Sequence, residues 1–577
     1  SDITREISPL NFTILLERVA RLNSLLNTRG PSDPATQVEI EERLFDPQLR
    51  ALLHSEKSPW GKSPNRVVLF YRHQLLYLLK FALDKCSFAA GLTWEEEAAH
   101  RFGKACLMVS DVTQPEAEQD TNGDMLSAAA SFLPPATFYV DNDPRVLMGR
   151  ARQFWLTLQD DKEMKAKAAE ADIDLSSVFL ETTGVSVKDF ITVLAAAFIL
   201  CSQFDPADLD CTRNLRIDPK VYLKNSVLSP ELFERVIASL SITPRELLRE
   251  VQQRPRDSEY WDFTVFQHYP LIEYQPGTHL WYDPSLIARV FTEGIYWRIH
   301  DALPTPHKKN EFRKYFGHVF SAYVGKILQR AFPERTSGDL WVPQFHHMPD
   351  FERSQDGQCA DGILDLGTDL VILETKASLL TLRAKYACDR DCLKADLDDK
   401  FNKRGSGAKG IQQLVKVFNK LVEGRRPNIE GFDFNSYATV IPVLVVYDTA
   451  VIAPGIDLYL NEEFKKAVQP WPDDRPKLGQ LIILSAREIE CLEAVSKKHD
   501  LRDVFAGYQN RRHALLPFYD YLCLMYRPDM LHPETLLSES VEEQFNETGE
   551  QFFGRKSSSR PMTEEGDPRS EPADGGS

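Results

Sequence analysis

No apolar stretch in this chain is long enough to cross a bilayer. The longest mainly apolar run, Phe190–Cys201, is 12 residues, against the roughly 20 that a spanning helix needs. It reads as a buried core helix, and no membrane partner is expected. The opening SDITREISPLNF lacks the basic-then-apolar pattern of a secretory signal. The nine cysteines are odd in number and scattered, which excludes a disulfide framework and predicts a reducing, cytoplasmic setting. Cys388 and Cys392 have no second Cys or His pair at zinc spacing. No repeat recurs at a fixed period. A net charge of −17 excludes a surface that is basic throughout. Positive charge is concentrated instead in Thr381–Arg426, with twelve basic and six acidic residues, and negative charge in Pro533–Ser577, with eleven acidic and four basic.

What is present, at 577 residues with 43% hydrophobic and 27% charged content, fits several globular domains. Residues 1–115 read as helical: Phe12–Leu26 carries Leu15, Leu16, Val19, Leu22, Leu25 and Leu26 at helix period. Glu96 and His100, one turn apart, read as a surface ion pair. Residues 111–145, with Pro134-Pro135, read as a linker. Residues 116–300 form a second helical region with a small β element at about 261–282. There Trp261–Gln267, Leu271–Tyr274 and His279–Tyr282 are rich in aromatic and β-branched residues, and Gln275-Pro276-Gly277 supplies a turn. Residues 301–500 read as α/β: a helix at Asn310–Phe332, strands at Leu340–His346, Asp361–Leu366 and Leu370–Lys376, a helix at Gly410–Glu423, and strands at Tyr437–Tyr447 and Leu481–Leu484. A capping box, Ser485 to Glu488, then opens a helix. Residues 501–532 read as terminal helices packing on the body, and 533–577 as an acidic disordered tail.

The stretch Asp361–Lys376, DGILDLGTDLVILETK, carries the chemistry. Gly367-Thr368 between two apolar runs predicts a two-residue hairpin turn. Leu366 then faces Asp369, Asp365 faces Leu370, Ile363 faces Ile372, and Asp361 faces Glu374. Facing residues share a side of the sheet, and Lys376, two beyond Glu374, shares it as well. Opposed carboxylates repel, so a cation is expected between them: a metal ion, the lysine, or both. The same register sets Asp365 aside, since it lies four residues along the strand from Glu374, roughly 13 Å at strand rise.

An Asp on one strand and Glu-x-Lys on the next, in the order helix, three strands, helix, strand, resembles the PD-(D/E)xK nuclease superfamily over the C-terminal half. The resemblance implies an α/β fold with a restriction-endonuclease-like α-β-β-β-α-β core, preceded by a mainly α-helical N-terminal region. It implies that Asp361, Glu374 and the carbonyl of Thr375 bind Mg²⁺, with Mn²⁺ as a substitute, and that Lys376 positions or activates the attacking water. A glutamine on the next helix assists in many relatives. Gln412 and Gln413 are both available: the Gln-Leu habit favours Gln413, the helical wheel Gln412. The implied activity is metal-dependent hydrolysis of nucleic-acid phosphodiesters, as an endonuclease or exonuclease. DNA rather than RNA rests on the family's habits, and a restriction or defence role on analogy alone.

The chain departs from the family at two places. Gly317–Tyr323 matches Gly-x-x-Phe-Glu-x-Tyr except that Ser321 stands where the Glu belongs, which removes one ligand of a second metal ion. Glu311 lies about three turns earlier on the same helix. The connection from Lys376 to Gly410, about thirty residues, is longer than usual and is expected to be a loop that clamps a nucleic-acid strand. His346 and His347 end the first strand and are given no role. The alternative is a nuclease fold with weak or lost catalysis, serving as a nucleic-acid- or protein-binding module or an accessory subunit, with a protein partner docking on the N-terminal half.

Overall fold

Alternation of apolar side chains decides which way each strand of the C-terminal half faces. The computed structural model describes residues 2–30, 33–55, 68–88, 91–113, 125–139, 143–202, 215–254, 261–334, 343–347, 360–403, 409–423, 434–510, 516–526 and 536–554. It is mixed α/β, with a helical N-terminal region and two mixed sheets. The smaller sheet joins β1 (Arg216–Ile217), β2 (Ser241–Ile242), β3 (Leu271–Gln275) and β4 (Thr278–Trp281) in the order β1-β4-β3-β2. Gly277, at φ +72°, turns the β3–β4 hairpin as expected. Trp261–Gln267 is no strand. Asp262 Oδ1 accepts the Thr264 N–H at 3.0 Å and starts a short helix, Thr264–His268.

The larger sheet holds β5 (Gln344–His347), β6 (Gly362–Asp365), β7 (Asp369–Lys376), β8 (Thr439–Val446), β9 (Lys477–Leu478) and β10 (Ile482–Ser485). Its order is β10-β8-β7-β6-β5, with β9 also paired to β8. β5, β6 and β7 are antiparallel; β7, β8 and β10 run parallel. Val371 and Leu373 of β7 join Ile441, Val443 and Val445 of β8 in one core cluster, against the helices Pro306–Ala331 and Ala486–Ser496. Leu370 and Ile372 join Val440, Leu444 and Val446 in a second cluster on the other face, against Ile411–Val422 and Ile456–Ala467. Strands covered on both faces are apolar at every position, which explains the unbroken run in β8. Pro442 is tolerated within that run. Val440 accepts from the Gly479 N–H on the β9 side, so the N–H that proline lacks is directed to that side too. There β9 has ended at Val440 and β10 begins only at Val443.

Three expectations are corrected. The stretch read as a linker contains a helix, Met125–Tyr139, with Pro134 and Pro135 inside it. Leu126, Ala129, Ala130 and Leu133 recur at helical spacing and bury against the second face of the sheet, and that burial outweighs the prolines. The long connection after Lys376 is mainly helical rather than a loop, forming Leu382–Tyr386 and Arg390–Phe401. Leu393, Leu397 and Phe401, four apart, are buried, and Thr381 and Asp389 cap the two N-termini. The segment read as a disordered tail contains a helix, Leu536–Phe553. Its buried stripe is Leu537, Ser540, Gln544, Thr548 and Phe552. Leu537, Val541 and Phe545 recur at helical spacing and pack on the core, but three of the most buried positions are polar. Ser540 accepts from Gln153 Nε2 at 2.7 Å instead. Residues 555–577 lie outside the described residues.

One core cluster runs from Ile3 to Phe552 and joins the N-terminal helices to the first face of the larger sheet. Its polar lock is Arg150, whose Nε and Nη2 each donate to Glu490 at 2.9 Å, while the Tyr323 hydroxyl donates to Glu490 Oε1 at 2.6 Å. All three are buried. Among the described residues no single helix is long and apolar enough to cross a membrane. Replacing Arg150 with Met strands a buried carboxylate and is expected to cost about 3–5 kcal/mol, read as a lowered urea midpoint. The double variant Arg150→Met/Glu490→Met should recover most of that loss.

Candidate active site

The β6–β7 turn sets every position that follows. Gly367 sits at φ +82°, a conformation that favours glycine, and the Asp365 carboxylate accepts its N–H at 2.8 Å. Asp365 therefore serves the turn. The pairs Asp365–Leu370, Ile363–Ile372 and Gly362–Leu373 have the predicted register. One step beyond the last pair stand Asp361 and Glu374.

At that end of the sheet Asp361 Oδ2 accepts the Thr375 backbone N–H at 2.7 Å and the Thr375 hydroxyl at 2.6 Å. Asp361 Oδ1 accepts no hydrogen bond among the described residues. Glu374 is 2% exposed, and the Lys376 ammonium donates to its Oε1 at 2.5 Å. A buried carboxylate needs such a partner. Asp361, Glu374, Thr375 and Lys376 all line one cleft of about 1210 Å³. Gln413 lines it as well, with its side-chain oxygen accepting the Gly410 N–H at 2.8 Å and so fixing the start of its helix. Gln412 is directed elsewhere, donating to Asn402 Oδ1 at 2.7 Å. The helical wheel favours Gln412 because it does not register that the cleft opens beside the capped end of the helix.

Ser321 lines the same cleft, as does Glu311. Ser321 and the two carboxylates thus share one cleft. Among the described residues no three His, Cys, Asp or Glu side chains gather closely enough to hold a metal ion by themselves. The two histidines of β5 part company, as strand alternation requires. His347 reaches the cleft, and its ring lies so close to Gly325 that a Cβ there would stand 2.9 Å from Nε2. His346 pairs with Glu334 at 3.0 Å.

Sequence reasoning misses the groups that hold the cleft wall after Lys376. Asp448 follows β8 and is buried. Its Oδ2 accepts the Leu380 N–H at 2.7 Å and the Lys385 ammonium at 2.9 Å, and its Oδ1 accepts the Ala450 N–H at 3.1 Å. Burial alone would lower Lys385, but Asp448, Tyr386 and Glu293 outweigh it and hold the lysine above its ordinary value. Lys400 donates to the Leu379 carbonyl and to Asp396 at 2.9 Å. Burial holds it below the usual lysine value, against the pull of Asp396. A single signal was available: Asp448 is a lone charge ending an apolar strand.

No protein-family model, curated protein or solved structure matches the chain. Asp448→Ala removes the charged acceptor of the Leu380 N–H, and a charge-assisted bond of about 1.5 kcal/mol or more corresponds to at least about tenfold faster amide exchange at Leu380. Hydrogen exchange followed by mass spectrometry over 377–386 reads this directly.

Proposed function

We propose that the chain is a metal-dependent nuclease of the PD-(D/E)xK kind, hydrolysing phosphodiester bonds at the Asp361–Glu374–Lys376 end of the larger sheet. The observation that carries this reading is the convergence of those three side chains, through the hairpin register, on one open cleft. The order helix, three strands, helix, strand supports the restriction-endonuclease-like core, with two further helices inserted after β7.

The donor set fits one hard cation. Mg²⁺ is commonly bound through one or two carboxylates, with waters and substrate phosphate completing its shell. Asp361 and Glu374 supply two carboxylates, and Asp361 Oδ1 is uncommitted. The Thr375 carbonyl, next to Glu374 in the chain, is a third oxygen donor. Position 321 offers a serine hydroxyl instead of the family's carboxylate, so a single ion is proposed. When bound, the ion supplies Lewis-acid polarisation of the phosphodiester. The chain's own groups do the remainder. Thr375 pins Asp361 through Oδ2 and so aims Oδ1. Glu374 holds the Lys376 ammonium at the cleft, where it donates to the attacking water or to a phosphate oxygen. Gln413 adds a side-chain amide on the opposite side.

One observation favours weaker catalysis in a binding or accessory role: Glu374 is already engaged by Lys376 at 2.5 Å, and metal binding must loosen that pair. DNA over RNA and a restriction or defence role remain extensions of the family analogy. The test is incubation of the full chain with linear, circular and single-stranded DNA and with RNA, in Mg²⁺, Mn²⁺ or EDTA. Cleavage is expected with either metal and none in EDTA. Glu374→Ala and Lys376→Ala are each expected to lose about 10²–10⁴-fold in rate. Binding without cleavage under every condition would overturn the reading.

A further inference from the structure

The cleft above Asp361 and Glu374 has a second wall, and the helical N-terminal region helps to build it. On the Pro306–Ala331 helix, His307, Asn310, Glu311, Lys314, His318 and Ser321 fall on one stripe that lines the cleft. The opposite stripe, including Phe312, Phe316, Val319 and Phe320, is buried in the core. Lys167, from the Lys162–Glu170 helix, and Trp297, from the Ile295–Ala302 helix, continue the wall. Lys400 and Lys409 stand among the residues after β7.

Charge and shape both bear on what enters. Apart from Asp361, Glu374 and Lys376, the lining carries five lysines and arginines against three acids, with three histidines besides, on a chain whose net charge is −17. With those three counted the lining holds six basic and five acidic groups, a near balance on an acidic molecule, and a cation held by the two carboxylates would tip it toward a polyanion. Lys314 pairs with Glu311 at 2.7 Å, but its side chain is 70% exposed. Such a surface pair contributes little and exchanges readily for a phosphate. Trp297 is held by perpendicular contacts to Tyr296 and His300, with ring centres 5.1 and 5.2 Å apart. Trp297 is half-buried, packed on one side against the core while lining the cleft, and an indole fixed in this way can stack an unpaired base. A duplex keeps its bases paired inside a rod that is stiff over about 50 nm, and Glu374 is 2% exposed at the cleft floor. A flexible single strand can lower one phosphate to that floor and lay a neighbouring base on Trp297.

We propose that the cleft takes single-stranded nucleic acid, with the backbone along Lys314 and Lys167 and a base on Trp297. The N-terminal helical region is then the strand-recognition half of the molecule. The proposal rests on the nuclease reading for the position of the scissile phosphate.

The experiment is fluorescence anisotropy with the full chain in EDTA. The probes are a labelled oligothymidylate, a labelled oligouridylate, a duplex of equal length, and heparin as a non-nucleic polyanion. Single strands are expected to bind at least tenfold tighter than the duplex. Trp297→Ala should weaken strand binding by about tenfold, while Trp297→Phe, which keeps a ring, should retain most of it. Lys167→Ala and Lys314→Ala should each reduce the slope of log affinity against log salt by about 0.7. Equal or tighter binding of the duplex, heparin binding as tight as the strands, or wild-type strand binding by Trp297→Ala and the lysine variants together overturns the proposal. Strand binding of the expected kind without cleavage in Mg²⁺ sinks the nuclease reading alone. Cleavage combined with binding indifferent to strandedness sinks this inference alone.

Discussion

The register of the β6–β7 hairpin governs everything else at the candidate site. A strand's side chains alternate faces, so a slip of one residue would send Glu374 and Lys376 to the opposite face of the sheet. Two things prevent the slip. Gly367 adopts a left-handed conformation stabilised by the Asp365 side chain. The apolar residues of β7 are also divided between two separate cores, Val371 and Leu373 on one face and Leu370 and Ile372 on the other. Burial on both sides makes the register costly to change, and Asp361 is carried to Glu374 as a consequence.

Around that hairpin the two halves of the chain are not independent. The Arg150–Glu490–Tyr323 lock and a continuous apolar core fasten the N-terminal helices to one face of the sheet. The Met125–Tyr139 helix reaches the other face. The cleft accordingly has one wall from the sheet and the helices after it, and another from the Pro306–Ala331 helix and its N-terminal neighbours. Asp448 ties the chain after Lys376 to the end of β8, so the lysine and the wall beyond it share one support.

Much of this was legible in the sequence where a local rule was strong. The hairpin register follows from Gly367-Thr368 and the flanking apolar residues, and the capping box at Ser485 marks a helix start that the structure has. What escaped was decided by tertiary burial. Helical spacing of Leu126, Ala129 and Leu133 is visible but overshadowed by two prolines. Leu393, Leu397 and Phe401 are outnumbered by the charges around them. Leu537, Val541 and Phe545 stand at helical spacing, but acidic residues surround them and Ser540, Gln544 and Thr548 fill the buried positions between. The choice between Gln412 and Gln413 depends on where the cleft opens, which helical periodicity does not encode.

In the proposed site, Asp361 and Glu374 together hold one divalent cation. Titration with Mn²⁺ followed by electron paramagnetic resonance of the free ion tests it without reference to any substrate. About one bound Mn²⁺ per chain is expected, displaced by Mg²⁺ and lost in Asp361→Asn/Glu374→Gln. No bound ion in the wild-type protein, or undiminished binding in the double variant, would contradict it.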